Sequence, residues 1–217
     1  MRSARMRRGL YAIFDLDVLA RAGREPVAFA ERALAAGPLA AAQLRAKSAG
    51  AREALRVARA LAALCARAGT PFFVNDRPDL AVLASAPGVH VGGDDLPVAD
   101  VRAFAPSLRV GLSTHTLDEL DAGLATGADY LAFGPVFATG TKPDAAPVTG
   151  LDALAEAARR CAARGTPLVA IGGVTLDNAA RVRDAGATAA AAISALVVPD
   201  ADLTPHTRAL HLALGGS

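Results

Sequence analysis

The stretch that decides the fold is GTPLVAIGG at 165–173, because it repeats the pattern of GTPFFVN at 69–75. In both stretches a glycine follows an amphipathic segment, Thr-Pro comes next, and an unbroken apolar run begins after the proline. A glycine at such a position ends a helix, since it adopts the left-handed conformation at little steric cost. An apolar run without polar alternation is typical of a parallel strand covered by helices. The repeat therefore predicts one helix-to-strand connection used twice in a parallel sheet.

The same strand–helix pattern is found along the whole chain, where further apolar runs alternate with helical segments rich in Ala, Leu and Arg. The predicted strands are Leu10–Asp15, Leu39–Arg45, Phe72–Asn75, Val89–Gly92, Arg109–Ser113, Tyr130–Phe133, Leu168–Gly172 and Ala189–Ser194. Helix ends are predicted at Gly37, Gly69, Gly127, Gly165 and Gly186. We predict that Thr116 and Thr175 cap helix starts, Thr116 in a capping box with Glu119.

Eight strand–helix units predict an α/β fold of the (β/α)8 barrel type. We expect a single compact domain over residues 1–217, with residues 1–8 as a flexible basic extension. The alternative is an open, doubly wound sheet. That fold would lead us to expect G-x-G-x-x-G after the first strand, whereas the sequence there is DLDV at 15–18.

Composition excludes several classes of protein. A chain of 217 residues that is 53% hydrophobic can bury a core without disulfides or structural metals, and it is too apolar to be disordered. The net charge is only +2 and the dense basic cluster lies within the first eight residues, so we expect no nucleic-acid partner. No apolar run reaches the roughly 18 residues of a membrane span. Neither Cys65 nor Cys161 belongs to a C-x-x-C pair, and we expect a cytoplasmic protein with reduced core thiols.

Rare polar residues collect where the strands end, which is where such barrels carry their active sites. Lys47 and Lys142 are the only lysines among 23 basic residues, and Gln43 is the only glutamine. Gln43, Arg45 and Lys47 alternate along an extended segment, so their side chains are predicted to point the same way. A guanidinium and an ammonium group together suit a diphosphate.

Two carboxylates indicate a metal beside that anion. Asp76 and Asp95 follow neighbouring strands, and Mg²⁺ prefers one or two carboxylates together with phosphate oxygens and water. An alternative, compatible with the first, is that each aspartate caps the helix that follows it.

A second anion site is predicted after the seventh and eighth strands. Gly172 and Gly173 allow a close approach of the backbone, and the N–H groups after Ile193 begin a helix. A metal-bound diphosphate opposite a second phosphate indicates that two phosphorylated substrates join with loss of diphosphate.

Seven motifs, taken in this order, resemble those of the thiamine phosphate synthase family over about residues 9–196. They are QLRAK at 43–47, VNDRPDLA at 74–81, GVHVGGDDL at 88–96, GLSTHT at 111–116, DYLAFGPVFATGTK at 129–142, VAIGGVT at 169–175 and AISAL at 192–196. The resemblance implies a (β/α)8 barrel that couples a hydroxymethylpyrimidine diphosphate with a thiazole phosphate, with or without a 2-carboxylate. It also implies Mg²⁺ as cofactor and a dissociative mechanism, in which diphosphate leaves before the thiazole nitrogen attacks.

The resemblance also implies roles for individual residues. The pyrimidine diphosphate would be held by Gln43, Arg45, Lys47, Asn75 and Lys142. Asp76 and Asp95 would hold Mg²⁺, and Ser113 would contact the pyrimidine at the reacting centre. The thiazole phosphate would be bound by Thr139, Thr141, Gly173, Ile193 and Ser194. Leu44, Ala46 and Gly140 lie inside the same motifs and complete the expected substrate-binding set, while Ser113, Lys142 and Arg45 are the expected catalytic residues.

Three alternatives remain open at this point. One is a thiazole tautomerase of the same barrel family, whose catalytic histidine lies in a G-H-V-F motif; here the segment is GPVF at 134–137. Another is an inactive sister that binds a phosphorylated ligand. The third is a phosphate-binding isomerase, which needs no diphosphate site. We expect His90 to belong to a barrel layer and His115 to support the Ser113 turn, and a homo-oligomer is left open.

Overall fold

Eight parallel strands close into a barrel in chain order, with β8 paired to β1, in the computed structural model, which describes residues 6–140 and 146–217. The strands are β1 Gly9–Asp15, β2 Ala41–Arg45, β3 Phe72–Asn75, β4 Gly88–Val91, β5 Arg109–Thr114, β6 Tyr130–Phe133, β7 Leu168–Ala170 and β8 Ala189–Ala192. All eight predicted strands are present, which confirms the (β/α)8 barrel.

Helices surround the barrel and bury one face each against it. They are α1 Leu16–Arg21, α2 Pro26–Leu34, α3 Ala51–Arg67, α4 Pro78–Leu83, α5 Val98–Phe104, α6 Leu117–Ala125, α7 Gly150–Ala163, α8 Ala179–Asp184 and α9 Leu203–Ala213. A short 3₁₀ turn, Ser194–Leu196, precedes α9. In α3 the residues Val57, Leu61 and Cys65 recur every four positions and are fully buried, so each contributes the burial of an apolar side chain, about 1.5–3 kcal/mol for Val or Leu.

The predicted helix boundaries are confirmed with one exception. The five glycines named above all have positive φ, between 64° and 115°. Thr116 caps α6, since its Oγ1 accepts from the Glu119 N–H at 3.1 Å. The prediction for Thr175 is wrong, because α8 begins only at Ala179. Asn178 lies before that start, and its side-chain oxygen accepts from the Thr175 N–H at 2.9 Å, which makes 175–178 a turn.

The basic extension predicted for residues 1–8 is only partly described, since residues 1–5 lie outside the described residues. Met6 departs from the prediction: it is buried and packs in the cluster that fills the barrel, together with Tyr11 and Phe73. Its apolar side chain covers the interior at the amino-terminal end of the strands. Arg7 and Arg8 are exposed.

The two cysteines are buried and unpaired, as predicted. Burial raises the pKa of Cys65 to about 12, and burial with the nearby Asp121 carboxylate raises that of Cys161 to about 11. Within 6–140 and 146–217, no helix is long and apolar enough to span a membrane.

A few aromatic rings fill the barrel interior, and glycines make room for them. The rings of Phe73 and Tyr130 meet edge to face with centroids 5.3 Å apart. A methyl group added at Gly111 would lie 2.0 Å from Cζ of Tyr130, and one added at Gly88 would lie 2.4 Å from the Phe73 ring. Glycine is therefore required at 88 and 111 because the aromatic rings lie too close for a side chain, and not because of the backbone conformation.

We expect Gly111→Ala to lower the free energy of unfolding by about 1–3 kcal/mol, because the Tyr130 ring must move within a packed interior. Urea unfolding followed by circular dichroism measures the change. The matched control is Gly50→Ala, where an added methyl meets nothing within 4 Å. Equal stability losses in the two variants would contradict the argument.

The amino-terminal mouth of the barrel is covered by α9. The Leu10 N–H at the start of β1 donates to His211 Nδ1 at 3.1 Å, and His211 is buried. Burial lowers the pKa of His211, and a backbone hydrogen bond at Ser217 opposes this to a smaller extent. The folded state therefore favours the neutral form of the His211 imidazole, whose Nδ1 accepts the hydrogen bond.

Stability is expected to fall as the pH drops below about 6.5, where His211 in the unfolded chain takes up a proton and the buried ring does not. The loss continues down to the lowered folded pKa, with a slope of at most about 1.4 kcal/mol per pH unit for one proton. Urea unfolding between about pH 5 and 8 gives this slope. His211→Asn should flatten it, whereas His115→Asn, at a more exposed histidine, should not. Equal slopes for wild type and His211→Asn would rule out this linkage.

Candidate active site

A cavity of about 550 Å³ opens at the carboxyl ends of the strands, within the size range of small-molecule sites. Most of the predicted site residues line it: Gln43, Arg45, Lys47, Asn75, Asp76, Asp95, Ser113, Thr139, Gly140, Gly173, Ile193 and Ser194. Thr141 and Lys142 lie outside the described residues. The structure thus brings together in one cavity residues that are far apart in sequence.

The three polar side chains of β2 and its extension form a row from the barrel interior to the rim. Gln43 is buried and its Nε2 donates to Asn75 Oδ1 at 3.1 Å. Arg45 comes next, and Lys47 is half-exposed with its Nζ 2.6 Å from Asp76 Oδ2. The prediction that these side chains share one side of the segment is confirmed.

Leu44 and Ala46 lie on the other side of this row. Leu44 is buried in the layer between barrel and helices, and Ala46 packs against that layer. Neither residue lines the cavity. Alternation along the strand turns both side chains away from the cavity, and the place of Leu44 and Ala46 in the substrate-binding set stays a prediction.

Asp15 holds Arg45 in place, a role that the sequence did not indicate. The Asp15 side chain is 1% exposed, and its Oδ2 lies 2.5 Å from Arg45 Nη1. Its Oδ1 accepts from the Val18 N–H at 2.9 Å and so caps α1. Asp15 and Arg45 are register partners on β1 and β2, which explains why the two side chains meet. One carboxylate thus fixes both a helix start and a cationic side chain of the cavity.

Asp76 and Asp95 are close neighbours, and neither caps a helix. Helix α4 begins after Arg77 without a side-chain cap, and α5 begins after Pro97. The Asp95 Oδ2 instead accepts from the Gly92 N–H at 2.8 Å. The alternative reading of both aspartates as helix caps is therefore wrong.

The electrostatics of Asp76 differ from those of an isolated carboxylate. Burial raises the pKa of Asp76, a hydrogen bond that its protonated form donates to the Asp95 carboxylate raises it further, and the Lys47 ammonium opposes both. Asp76 also has a φ of 62°, which is uncommon for a residue with a side chain. Two acidic groups held together beside one cation favour an additional positive charge.

The opposite side of the cavity is formed by backbone. Gly172 and Gly173 have φ of 87° and 67°. A methyl group at Gly172 would lie 2.4 Å from Pro135, and one at Gly173 would lie 2.6 Å from the Ala138 carbonyl oxygen. With Ile193 and Ser194 at the end of β8, this turn presents backbone where a side chain would not fit.

Two histidines reach the cavity. His90 is buried inside the barrel, as predicted, and its Nε2 lies 2.8 Å from Ser113 Oγ. His115 is more exposed, and its Nδ1 lies 3.2 Å from Glu119 Oε2. The same Glu119 oxygen accepts from the His115 N–H at 2.7 Å, so α6 is tied to the turn after Ser113.

Comparison with known proteins agrees with this geometry. Residues 10–196 match the model of a family described as thiamine monophosphate synthase. The chain belongs to this family. It is 44% identical over 201 residues to a thiamine-phosphate synthase of Chloroflexus aurantiacus, covering 93% of this chain and 90% of the relative. It is 43% identical over 206 residues to that of Methanocella arvoryzae, covering 94% of each chain.

A solved structure is also similar. The thiamine phosphate pyrophosphorylase of Pyrococcus furiosus superposes with a TM-score of 0.84 at 33% identity, over 95% of both chains. Membership of the family makes the chain an enzyme of the transferase class.

We expect Asp15→Asn to lower the free energy of unfolding by about 1–3 kcal/mol, because Arg45 loses a buried anionic partner while the cap of α1 is kept. Asp17→Asn is the matched control, two residues away, where the Asp17 carboxylate accepts from the exposed Ser48 hydroxyl. Chemical unfolding of both variants measures the difference. A loss in Asp17→Asn as large as in Asp15→Asn would contradict the role given to the Asp15–Arg45 pair.

Proposed function

We propose that this enzyme couples the diphosphate ester of hydroxymethylpyrimidine with a thiazole phosphate, giving thiamine phosphate and diphosphate. The observation that carries the proposal is that one cavity has a side of cationic and amide side chains and a side of glycine backbone, both suited to anions. Gln43, Arg45, Lys47 and Asn75 lie beside two carboxylates on one side, and the Gly172–Gly173 turn lies on the other. A donor that loses diphosphate and an acceptor that keeps its monophosphate fit these two sides.

The cationic row would stabilise the leaving group. Departure of diphosphate separates charge, and positive groups held in advance near the leaving oxygens lower that barrier. Arg45 is held by Asp15, so its guanidinium needs little reorganisation. Lys47 is paired with Asp76 and would turn to the phosphate oxygens. Lys142 is proposed as a further cation at the same anion.

A dissociative course requires little acid–base help from the protein. The electron-rich aminopyrimidine stabilises its own cation, and the thiazole nitrogen then captures it. The site must hold the two rings close together and exclude water. Apolar groups at the base of the cavity, from Ile13, Ile171 and Ala191, suit that task.

The residues present fit a magnesium ion. Asp76 and Asp95 offer hard carboxylate oxygens close to each other, in surroundings that disfavour two uncompensated negative charges. Among residues 6–140 and 146–217 no third His, Cys, Asp or Glu completes a larger ligand cluster. Phosphate oxygens and water would then supply the other ligands, as Mg²⁺ prefers. When bound, the ion would neutralise charge on the diphosphate.

The alternatives are less well supported. A tautomerase of this barrel family would carry a histidine where this chain has Pro135, which lies at the cavity wall. An isomerase has no use for the cationic row and the paired carboxylates. A 2-carboxylate on the thiazole phosphate and a location in the cytoplasm stay predictions, as does a homo-oligomer.

The test is formation of thiamine phosphate from both substrates, with and without Mg²⁺, in wild type and Asp76→Asn. We expect Mg²⁺-dependent product in wild type and a fall in kcat/KM of about 100-fold in the variant, because the charge at the leaving group is less well neutralised. Calorimetric titration of Mg²⁺ in the presence of diphosphate should show weaker binding to the variant. This second readout does not depend on turnover.

Asp79→Asn is the matched control for this experiment. Asp79 lies three residues further on, at the start of α4, and its exposed carboxylate pairs with Arg77 at 2.6 Å. We expect its activity and Mg²⁺ binding to stay within about twofold of wild type. The proposed function fails if folded wild type forms no product, and the metal assignment fails if Asp76→Asn binds Mg²⁺ like wild type.

A further inference from the structure

A chain of hydrogen bonds runs along the barrel axis from its interior to Ser113 at the cavity. The hydroxyl groups of Tyr11 and Tyr130 are 2.7 Å apart. The Tyr130 hydroxyl is also 2.7 Å from His90 Nδ1, and His90 Nε2 is 2.8 Å from Ser113 Oγ. The imidazole and the Tyr130 ring are stacked with centroids 5.5 Å apart, so packing restrains both. Four side chains from four strands thus form one continuous path.

Both phenols stay protonated along this path. Burial raises the pKa of Tyr11 and of Tyr130 well above the ordinary value for tyrosine, although the nearby Arg109 charge lowers both to a smaller extent. Each hydroxyl therefore has one proton to donate. The Tyr130 hydroxyl has two hydrogen-bond partners on this path, Tyr11 and His90, so it donates to one and accepts from the other.

When the imidazole is neutral, only two directions satisfy these three hydrogen bonds together. In the outward direction Tyr11 donates to Tyr130, Tyr130 donates to His90 Nδ1, and Nε2–H donates to Ser113. In the inward direction Ser113 donates to His90 Nε2, Nδ1–H donates to Tyr130, and Tyr130 donates to Tyr11. The Tyr11 proton would then need an acceptor, and within the described residues its hydroxyl has no hydrogen-bond partner except Tyr130.

Arg109 favours the outward direction. It begins β5, at the amino-terminal end of the barrel, and its guanidinium carbon lies 5.5 Å from the centroid of the Phe73 ring inside the barrel. Its Nε is buried and has no hydrogen-bond partner in the described part of the chain. A positive charge at this end attracts the phenolic oxygens and repels their protons. The O–H dipoles therefore point away from Arg109 and toward the cavity.

We propose that Tyr130 is a positioning residue that holds the proton of His90 on Nε2, so that Ser113 accepts from His90 and donates its own proton into the cavity. The inference rests on the proposed function in one respect, since Ser113 is expected there to contact the pyrimidine substrate. It adds the direction of the hydrogen bond in that contact: Ser113 is the donor, and the substrate atom that it contacts is the acceptor. Hydrogen bonds aligned in one direction polarise one another, which strengthens the donor at the end.

The first test reads the tautomer of His90 directly. Nitrogen-15 NMR of the imidazole at about pH 8 distinguishes Nδ1–H, Nε2–H and the doubly protonated ring, and the spectrum of His90→Gln identifies the His90 signals. We expect Nε2–H in wild type. In Tyr130→Phe, which removes one hydroxyl and keeps the ring, we expect a mixture of the two neutral tautomers.

Tyr11→Phe is the matched control, because it also removes one buried phenolic hydroxyl from a 2.7 Å contact. It leaves the Tyr130–His90 hydrogen bond in place, and we expect Nε2–H as in wild type. A wild-type His90 with its proton on Nδ1, a doubly protonated ring, or an unchanged tautomer in Tyr130→Phe would overturn the proposal.

The second test is a double-mutant cycle on thiamine phosphate formation. Tyr130→Phe should lower kcat/KM about tenfold, the upper range for one neutral hydrogen bond, while Tyr11→Phe should stay within about twofold. In a Ser113→Ala background, Tyr130→Phe should have almost no further effect, since Tyr130 acts through Ser113. Equal fold losses in both backgrounds would indicate a purely structural role and overturn the proposal.

The two arms separate failure of this inference from failure of the proposed function. If wild type forms no thiamine phosphate, the proposed function fails, and the NMR arm still decides the direction of the hydrogen-bond chain. If wild type is active but the tautomer does not depend on Tyr130, the inference fails and the proposed function stands.

Discussion

Pairing of β8 with β1 is the constraint on which the rest of the structure depends. The ladder from Gly9 opposite Ala189 to Ala12 opposite Ala192 closes the sheet, so all eight carboxyl ends face the same rim. Closure also removes the two sheet edges that an open sheet would leave. The last strand consists of four alanines. Two of them, Ala189 and Ala191, face the interior, where their small side chains leave room for the rings of Tyr11, Phe73 and Tyr130.

The fold was predictable because its signals are local. Continuous apolar runs, glycines with positive φ and the repeated Gly-Thr-Pro connection each depend on a few adjacent residues. The boundaries that differed depend on contacts distant in sequence. Strand β7 ends at Ala170, two residues before its predicted end, because Gly172 and Gly173 turn the backbone against Pro135 and Phe137. The sequence alone does not indicate that contact.

The site was predictable only in part, for a similar reason. Alternation along β2 correctly placed Gln43, Arg45 and Lys47 on one side, and the same rule excludes side-chain contact by Leu44. Asp15 was not identified, because its partner Arg45 is 30 positions away and the pairing depends on the register of two strands. The path from Tyr11 to His90 was missed likewise: only a closed barrel brings four strands to a common axis.

The Lys47–Asp76 ion pair has a consequence for selectivity. Lys47 is paired with Asp76, so a lone phosphate ion would have to separate the two side chains and leave that carboxylate uncompensated. A diphosphate that arrives with a divalent cation offers each member of the pair a new partner at the same moment. The exchange conserves charge, and under the proposed function the cavity would recognise an ion complex and discriminate against a simple anion.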